Sequence, residues 1–396
     1  MENEMKRNIT LYPVFSFFIR MLIIGPVLVP FLLWKGLDYT EILLLQSISA
    51  ISTMVFEVPT GAVADRLSRK LSLVISGLIV AFALLIYILA GEFWIFAIAE
   101  ILFGLGLTFY SGADSAILFE SLKELKREKE YQEKEGNAFS YFFIGQAVFS
   151  ILSGHLYVVH PSIPFWISLG FLLSASVTAL FFHEPDRERE KHRYFFAIFS
   201  GVREAFKKSR IIWLLLFAGI FGSAMRLGYW LYQPYFDYVS LDIVFYGYVF
   251  AGFNLLAAFS SKYLLKKFSH IRPRHLLLTL GALLIISFVV PPLFKSKWLI
   301  IVIGLQQIFR GMYRPTVGFY VNNQIGNKSR ATTISLVSFI SSLGFAVISP
   351  IVGNGLDHIG TKTTYLLVGL SCTAGFVFLF FLRKHMKRRK LQKQSS

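Results

Sequence analysis

The chain predicts an all-α membrane protein of twelve transmembrane helices arranged as two six-helix halves. Three observations predict it. Of 396 residues, 55% are hydrophobic and only 16% charged, and the mean hydropathy is +0.59. That is too apolar, too evenly, for a water-soluble chain of this length. Apolar runs of about 20 residues, enough to cross a bilayer, recur from end to end. Finally, 32 of the 40 Lys and Arg lie in one alternate set of short loops and only four in the other. This imbalance places the first set, and with it both termini, in the cytoplasm of a plasma-membrane protein. The net charge of +17 is therefore no sign of a nucleic-acid partner; the partner it implies is the bilayer.

The spans follow in order. Leu11–Trp34 is too long for a signal-peptide core and has no cleavage site after it, so it reads as a retained first helix. Glu41–Ala64, Leu71–Ala90, Phe93–Leu122, Asn137–Val159 and Pro164–Phe182 complete the first bundle, residues 1–182. Residues 183–210 open with HEPDREREKHR, too charged to bury. They continue with Phe196, Phe199, Val202 and Phe206 at helical spacing, which reads equally as an amphipathic linker lying on the inner membrane surface or as a solvated helix that only tethers the two bundles. The second bundle, residues 211–396, holds Ile211–Tyr235, Ile243–Leu265, His275–Phe294, Trp298–Ile325, Ala331–Val352 and Thr364–Leu382, then a basic tail. Gly145 and Gly154 in the fifth span match Gly344 and Gly353 in the eleventh, and Glu100-x3-Gly104 in the fourth matches Gln307-x3-Gly311 in the tenth. These pairs read as a duplication.

Between the second and third spans lies EVPTGAVADRLSRKLSL, residues 57–73. The turn is too short to cross a membrane and carries three cations. It resembles the signature loop of the major facilitator superfamily, G-x-L-A-D-R-x-G-R-K. Gly61, Ala64, Asp65, Arg66, Arg69 and Lys70 match; Val63 stands for the leucine and Ser68 for the second glycine. The small Gly61 and Ala64 are expected to let two helix ends approach closely. The resemblance implies secondary transport by alternating access, with Gly61, Asp65, Arg66, Arg69 and Lys70 as a cytoplasmic gating motif and Asp65 as its clamp. The stretches SGADSAILFESL and RGMYRPTVGFYVNNQI, with RATTIS after it, resemble a drug-exporter-like bacterial branch of that family. Gly145-x8-Gly154 begins the exporters' antiporter motif, but Val158 and Val159 stand where Gly-Pro should follow.

Charge inside a bilayer is costly, so each such residue implies a partner, a water-filled cavity or a function. Arg20 lies in the first span, Glu100 and Asp114 in the fourth, Arg226 in the seventh, and Arg310 and Arg314 in the tenth. In the family resembled, these four helices line the central cavity. The four arginines are thus candidate substrate ligands, since the planar guanidinium fork suits carboxylate and phosphate. Equally, each can neutralise a buried acid. Glu100 and Asp114 are candidates for proton coupling, because a buried carboxyl responds to both desolvation and nearby cations. At Glu100 the family often has an arginine.

No P-loop, HExxH or metal-ligand cluster occurs, and the single cysteine, Cys372, sits in an apolar run, so neither an enzyme nor a metal site is expected. No cofactor is expected either; a proton or other ion gradient is the driving force. The expectation is a monomer that expels an amphipathic, drug-like small molecule in exchange for protons, the alternative being an organic-anion transporter built on the cavity arginines.

Overall fold

A computed structural model describes residues 2–66, 68–185, 208–268, 270–322, 324 and 327–395, and among them helices and turns form but no strand. The linker helix expected from Phe196 to Phe206 lies outside the described residues. Cα packing divides the chain into two units, Met1–Lys191 with Asp242–Gly252, and His192–Leu241 with Phe253–Ser396.

In the first unit, α1 (Glu2–Arg20) stops where Met21 to Ile24 leave the helix, and α2 (Leu28–Trp34) follows a short 3-10 turn. The span expected to be one helix is broken because Pro26 and Pro30 each remove a backbone donor. The next helix, α3 (Tyr39–Arg66), starts on a capping box. Asp38 Oδ1 accepts from the Glu41 amide at 2.8 Å, and the Glu41 carboxylate accepts from the Asp38 amide at 3.2 Å. After the signature turn comes α4 (Arg69–Leu89), whose far end is closed by Lys35. The Lys35 ammonium donates to the Ile88 and Ala90 carbonyls at 2.7 and 2.9 Å, meeting the negative end of the helix dipole. Its partial burial lowers its pKa.

The expected fourth span is two helices, α5 (Phe93–Tyr110) and α6 (Ala113–Glu124). They part at Gly112, whose φ of 84° is a left-handed conformation that only glycine adopts without strain. The unit closes with α7 (Tyr131–Val159) and α8 (Ile163–Leu180).

The second unit opens with α9 (Ser209–Phe217), a π-helical turn over Ala218–Gly222, and α10 (Ser223–Tyr238). There follow α11 (Tyr246–Phe259), whose first half up to Gly252 belongs to the first unit, α12 (Pro273–Val289), α13 (Leu305–Asn322) and α14 (Asn327–Ser395). Gly360, with φ 76° and ψ 165°, breaks α14 into two helices.

Ten helices among the described residues are long and apolar enough to cross a membrane. The longest, Thr332–Leu382, includes the Gly360 break and so contains two. Outside the ten stands α13, made polar by Arg310, Arg314 and two glutamines. Large apolar side chains such as Val159, Ile301 and Ile351 stand on the surface, as lipid contact requires. Trp34, Trp94 and Trp298 are exposed at helix ends, the place of an interfacial aromatic belt.

The duplication is visible in the packing. An added Cβ on Gly145 of α7 would meet Phe17 and Met21 at the end of α1, and one on Gly344 of α14 would meet Ser223 and Gly219 at the start of α10. Gly104 sets α5 against Ser49 and Ser52 of α3, as Gly311 sets α13 against Ala257 of α11. Fifth on first and fourth on second thus recur in each unit, each through a glycine.

Candidate functional site

In the first unit, the break after α1 and the break before α6 bring Arg20 and Asp114 together. The guanidinium lies 2.5 Å from the carboxylate, and the two side chains are 14% and 3% exposed. Arg20 also donates to Ser16 Oγ at 3.0 Å, and its guanidinium carbon sits 4.4 Å from the centre of the Phe139 ring. The Asp114 carboxylate, in the first turn of α6, accepts from the Ser115 amide at 2.7 Å. Both carboxylate oxygens and two of the three guanidinium nitrogens are therefore engaged, which helps a buried ion pair to persist.

Glu100 is placed differently. It is 4% exposed in the middle of α5. Gln46 Nε2 of α3 donates to Oε1 at 2.8 Å, the Tyr87 hydroxyl of α4 donates to the same oxygen, and the Ser49 hydroxyl adds a third bond. Among the described residues no cation touches it. Three helices are thus joined by one carboxyl held only by neutral groups.

The signature turn is described in part. The backbone of α3 runs to Arg66, but the side chains of Asp65 and Arg66 lie outside the described residues. Among the described residues, a Cβ on Gly61 would find nothing within 4 Å. What holds the turn is its second half. The Glu184 carboxylate accepts from Ser68 Oγ at 2.6 Å and from the amides of Arg69 and Lys70 at 2.9 Å each. It thereby fills the otherwise empty donors at the start of α4. The Arg69 guanidinium pairs with Glu120 on α6. Beside it, Asn8 of α1 donates to Ser121 Oγ at 2.9 Å and exchanges two 2.8 Å bonds with the backbone of His183. We expect Glu184→Ala to cost about 1 kcal/mol, as loss of an N-cap does. A melting curve matching wild type would show that water replaces the carboxylate fully.

In the second unit, Arg310 donates to Gln307 Oε1 and to Asn254 Oδ1, both at 3.1 Å, and Gln307 Nε2 donates to the Tyr232 hydroxyl at 2.8 Å. Arg226 and Arg314 are exposed and make no ion pair among the described residues. Arg226 has Tyr313 as its electrostatic neighbour, just after the π turn of α9 and α10. The contrast between the units is chemical. The first pairs its arginine with an acid; the second sets amides beside Arg310 and a phenol beside Arg226.

From the sequence, Arg20 could meet either Glu100 or Asp114, and the neutral partners of Glu100 could not be named. Gln46, Tyr87 and Ser49 are ordinary polar residues in apolar spans, and only their shared neighbour gives them meaning. Glu184 falls in a stretch set aside as solvated, and no local signal singles it out. No group of three or more His, Cys, Asp or Glu suited to a metal occurs among the described residues.

Comparison with known proteins agrees with this architecture. The profile of the Major Facilitator Superfamily matches residues 14–305 and, overlapping, 276–396. An uncharacterized MFS-type transporter of Bacillus subtilis (strain 168), YxaM, is 23% identical over 361 residues, 88% of each chain. Among solved structures, a mutant form of the nucleoside transporter NupG superposes with a TM-score of 0.82 at 11% identity, over 95% of this chain and 99% of that one. A bacterial homolog of the human lysosomal transporter Spinster, inward-facing and unoccupied, gives 0.67 at 17% identity, over 96% and 95%. At these identities the two structures speak for the fold alone. With a family match running from residue 14 to the end of the chain, helix contacts matched through glycines in the two units and charged residues held inside apolar helices, the protein belongs to the major facilitator superfamily of transporters.

Proposed function

We propose that the protein is a proton-coupled secondary transporter that crosses the plasma membrane twelve times, keeps both termini in the cytoplasm and expels an amphipathic small molecule. Ten apolar spans, the break at Gly360 and the polar helix α13 support the count of twelve. The abundance of Phe, 41 residues, supports an amphipathic cargo.

One observation carries the coupling: Glu100 is buried among neutral donors. A carboxyl with no cation beside it can take up and lose a proton without leaving a charged partner stranded. Asp114 has no such freedom, since its protonation would leave Arg20 unpaired in a low-dielectric interior. Of the two carboxyls, Glu100 is the proton carrier in this reading and Asp114 a strut. Neutralising it as Glu100→Gln is expected to abolish uphill flux driven by a pH gradient in proteoliposomes and to leave downhill exchange largely intact. Normal uphill flux would overturn the assignment.

A second reading, an organic-anion cargo, draws on Arg226 and Arg314, which are exposed and without an acid partner among the described residues. Ethidium, uridine and benzoate serve as cationic, neutral and anionic probes in a thermal-shift screen. Binding of benzoate that vanishes in Arg226→Gln would favour this reading; ethidium binding indifferent to that change favours efflux of an amphipathic cation.

A further inference from the structure

Beyond coupling itself, the geometry around Glu100 assigns roles to residues that no motif marks. We infer that Gln46, Ser49 and Tyr87 make Glu100 a proton-responsive tether on α3, holding it when the carboxyl is charged and releasing it when it is neutral. The inference rests on the reading of Glu100 as the proton carrier.

Hydrogen-bond valence sets what the carboxyl can hold in each protonation state. In the charged form both oxygens only accept, and they receive Gln46 Nε2, the Tyr87 hydroxyl and the Ser49 hydroxyl. Gln46 and Ser49 are both on α3, three residues apart on one face, so two of the three bonds pull the same helix onto α5. A proton added at Oε1 forms an O–H bond there and turns that oxygen from a double acceptor into a donor. The Tyr87 hydroxyl can turn to accept it. The Gln46 NH2 group only donates, and a hydroxyl oxygen accepts more weakly than a carboxylate one, so its bond to that oxygen is weakened. Protonation thus loosens the attachment of α3 while α4 keeps its own.

The packing next to the tether fits such a seam. Immediately along α5, Gly104 lets Ser49 O and Ser52 Cβ approach to within 3.0 and 2.8 Å of where its Cβ would be. Two helices in contact through a glycine have no interlocking side chains there, so they slide past one another at low cost. Farther along, α3 runs without interruption to Arg66, into the signature turn. From Gln46 to Asp65 is roughly 28 Å at the helical rise. A movement at the Glu100 end therefore reaches the turn through a single helix. The counterpart of Glu100 in the second unit, Gln307, cannot titrate, and its partners are Tyr232 and Arg310. The tether belongs to one half only.

Its test needs no substrate. Spin labels at Leu44→Cys on α3 and Trp94→Cys on α5, both exposed sites, report the distance between these helices in a Cys372→Ser background. The wild-type distance distribution should shift between pH 5 and 9 along a one-proton curve. In Glu100→Gln it should be independent of pH. In Gln46→Leu and in Tyr87→Phe the midpoint should move upward by about one pH unit, because fewer donors then stabilise the charged carboxyl. A wild-type distance that ignores pH, or midpoints unmoved in both variants, would overturn the tether. If Glu100→Gln also loses uphill flux, that result leaves the proton carrier standing and removes only the tether. If Glu100→Gln keeps uphill flux, the proton-carrier reading itself has failed.

Discussion

Asp114→Asn is expected to destabilise the protein by roughly 3–5 kcal/mol, the cost of stranding a buried charge. Arg20 would keep its bond to Ser16 and its place against Phe139, but neither carries a negative charge. The partner that neutralises it lies 2.5 Å away and is gone in the variant. Arg20→Gln should be nearly as harmful for the same reason in reverse. The double change to Gln and Asn should recover most of the loss, since an amide pair of similar shape has no charge to strand. Thermal unfolding in detergent of the two single variants and the double variant measures this. Additive losses in the double variant would mean the two residues act separately and would refute the pair as a structural unit.

Gly247→Ala should be the second large effect. A Cβ at Gly247 would lie 1.8 Å from the carbonyl oxygen of Ser150 on α7. The obstacle is backbone, so no side chain can swing away, and the start of α11 must retreat from α7. Gly154, one turn along, repeats the constraint from the other side: its Cβ would meet the Ile243 and Val244 carbonyls at 2.7 and 2.8 Å. Overpacking of this kind costs about 1–3 kcal/mol or more. Gly252→Ala supplies the control, since among the described residues nothing lies within 4 Å there and alanine favours the helix. A Gly247→Ala protein as stable as Gly252→Ala would show that the two helices separate freely.

Much of the fold was legible because the bilayer imposes a length on every crossing and a charge bias on every loop. The breaks were less legible. Hydropathy reads Leu11–Trp34 and Phe93–Leu122 as continuous, since it weighs side chains and ignores backbone angles. Pro26 and Pro30 lie at the first break, yet the span was read as one helix, and only the left-handed φ of Gly112 distinguishes the second break from an ordinary membrane glycine. The buried charges announced themselves as residues in need of partners. Which acid would meet Arg20 was open, because Glu100 and Asp114 are 14 residues apart on what read as one helix. The break at Gly112 separates them: Asp114 turns to Arg20, Glu100 to Gln46 and Tyr87.

The Glu184 cap bears on any attempt to supply the protein as two separately expressed pieces. A cut after Phe182, where hydropathy ends the sixth crossing, would hand His183 and Glu184 to the wrong fragment. The first fragment would then lack the carboxylate that closes the start of α4 and the backbone that holds Asn8. Cutting after Pro185 leaves both contacts with the piece that made them.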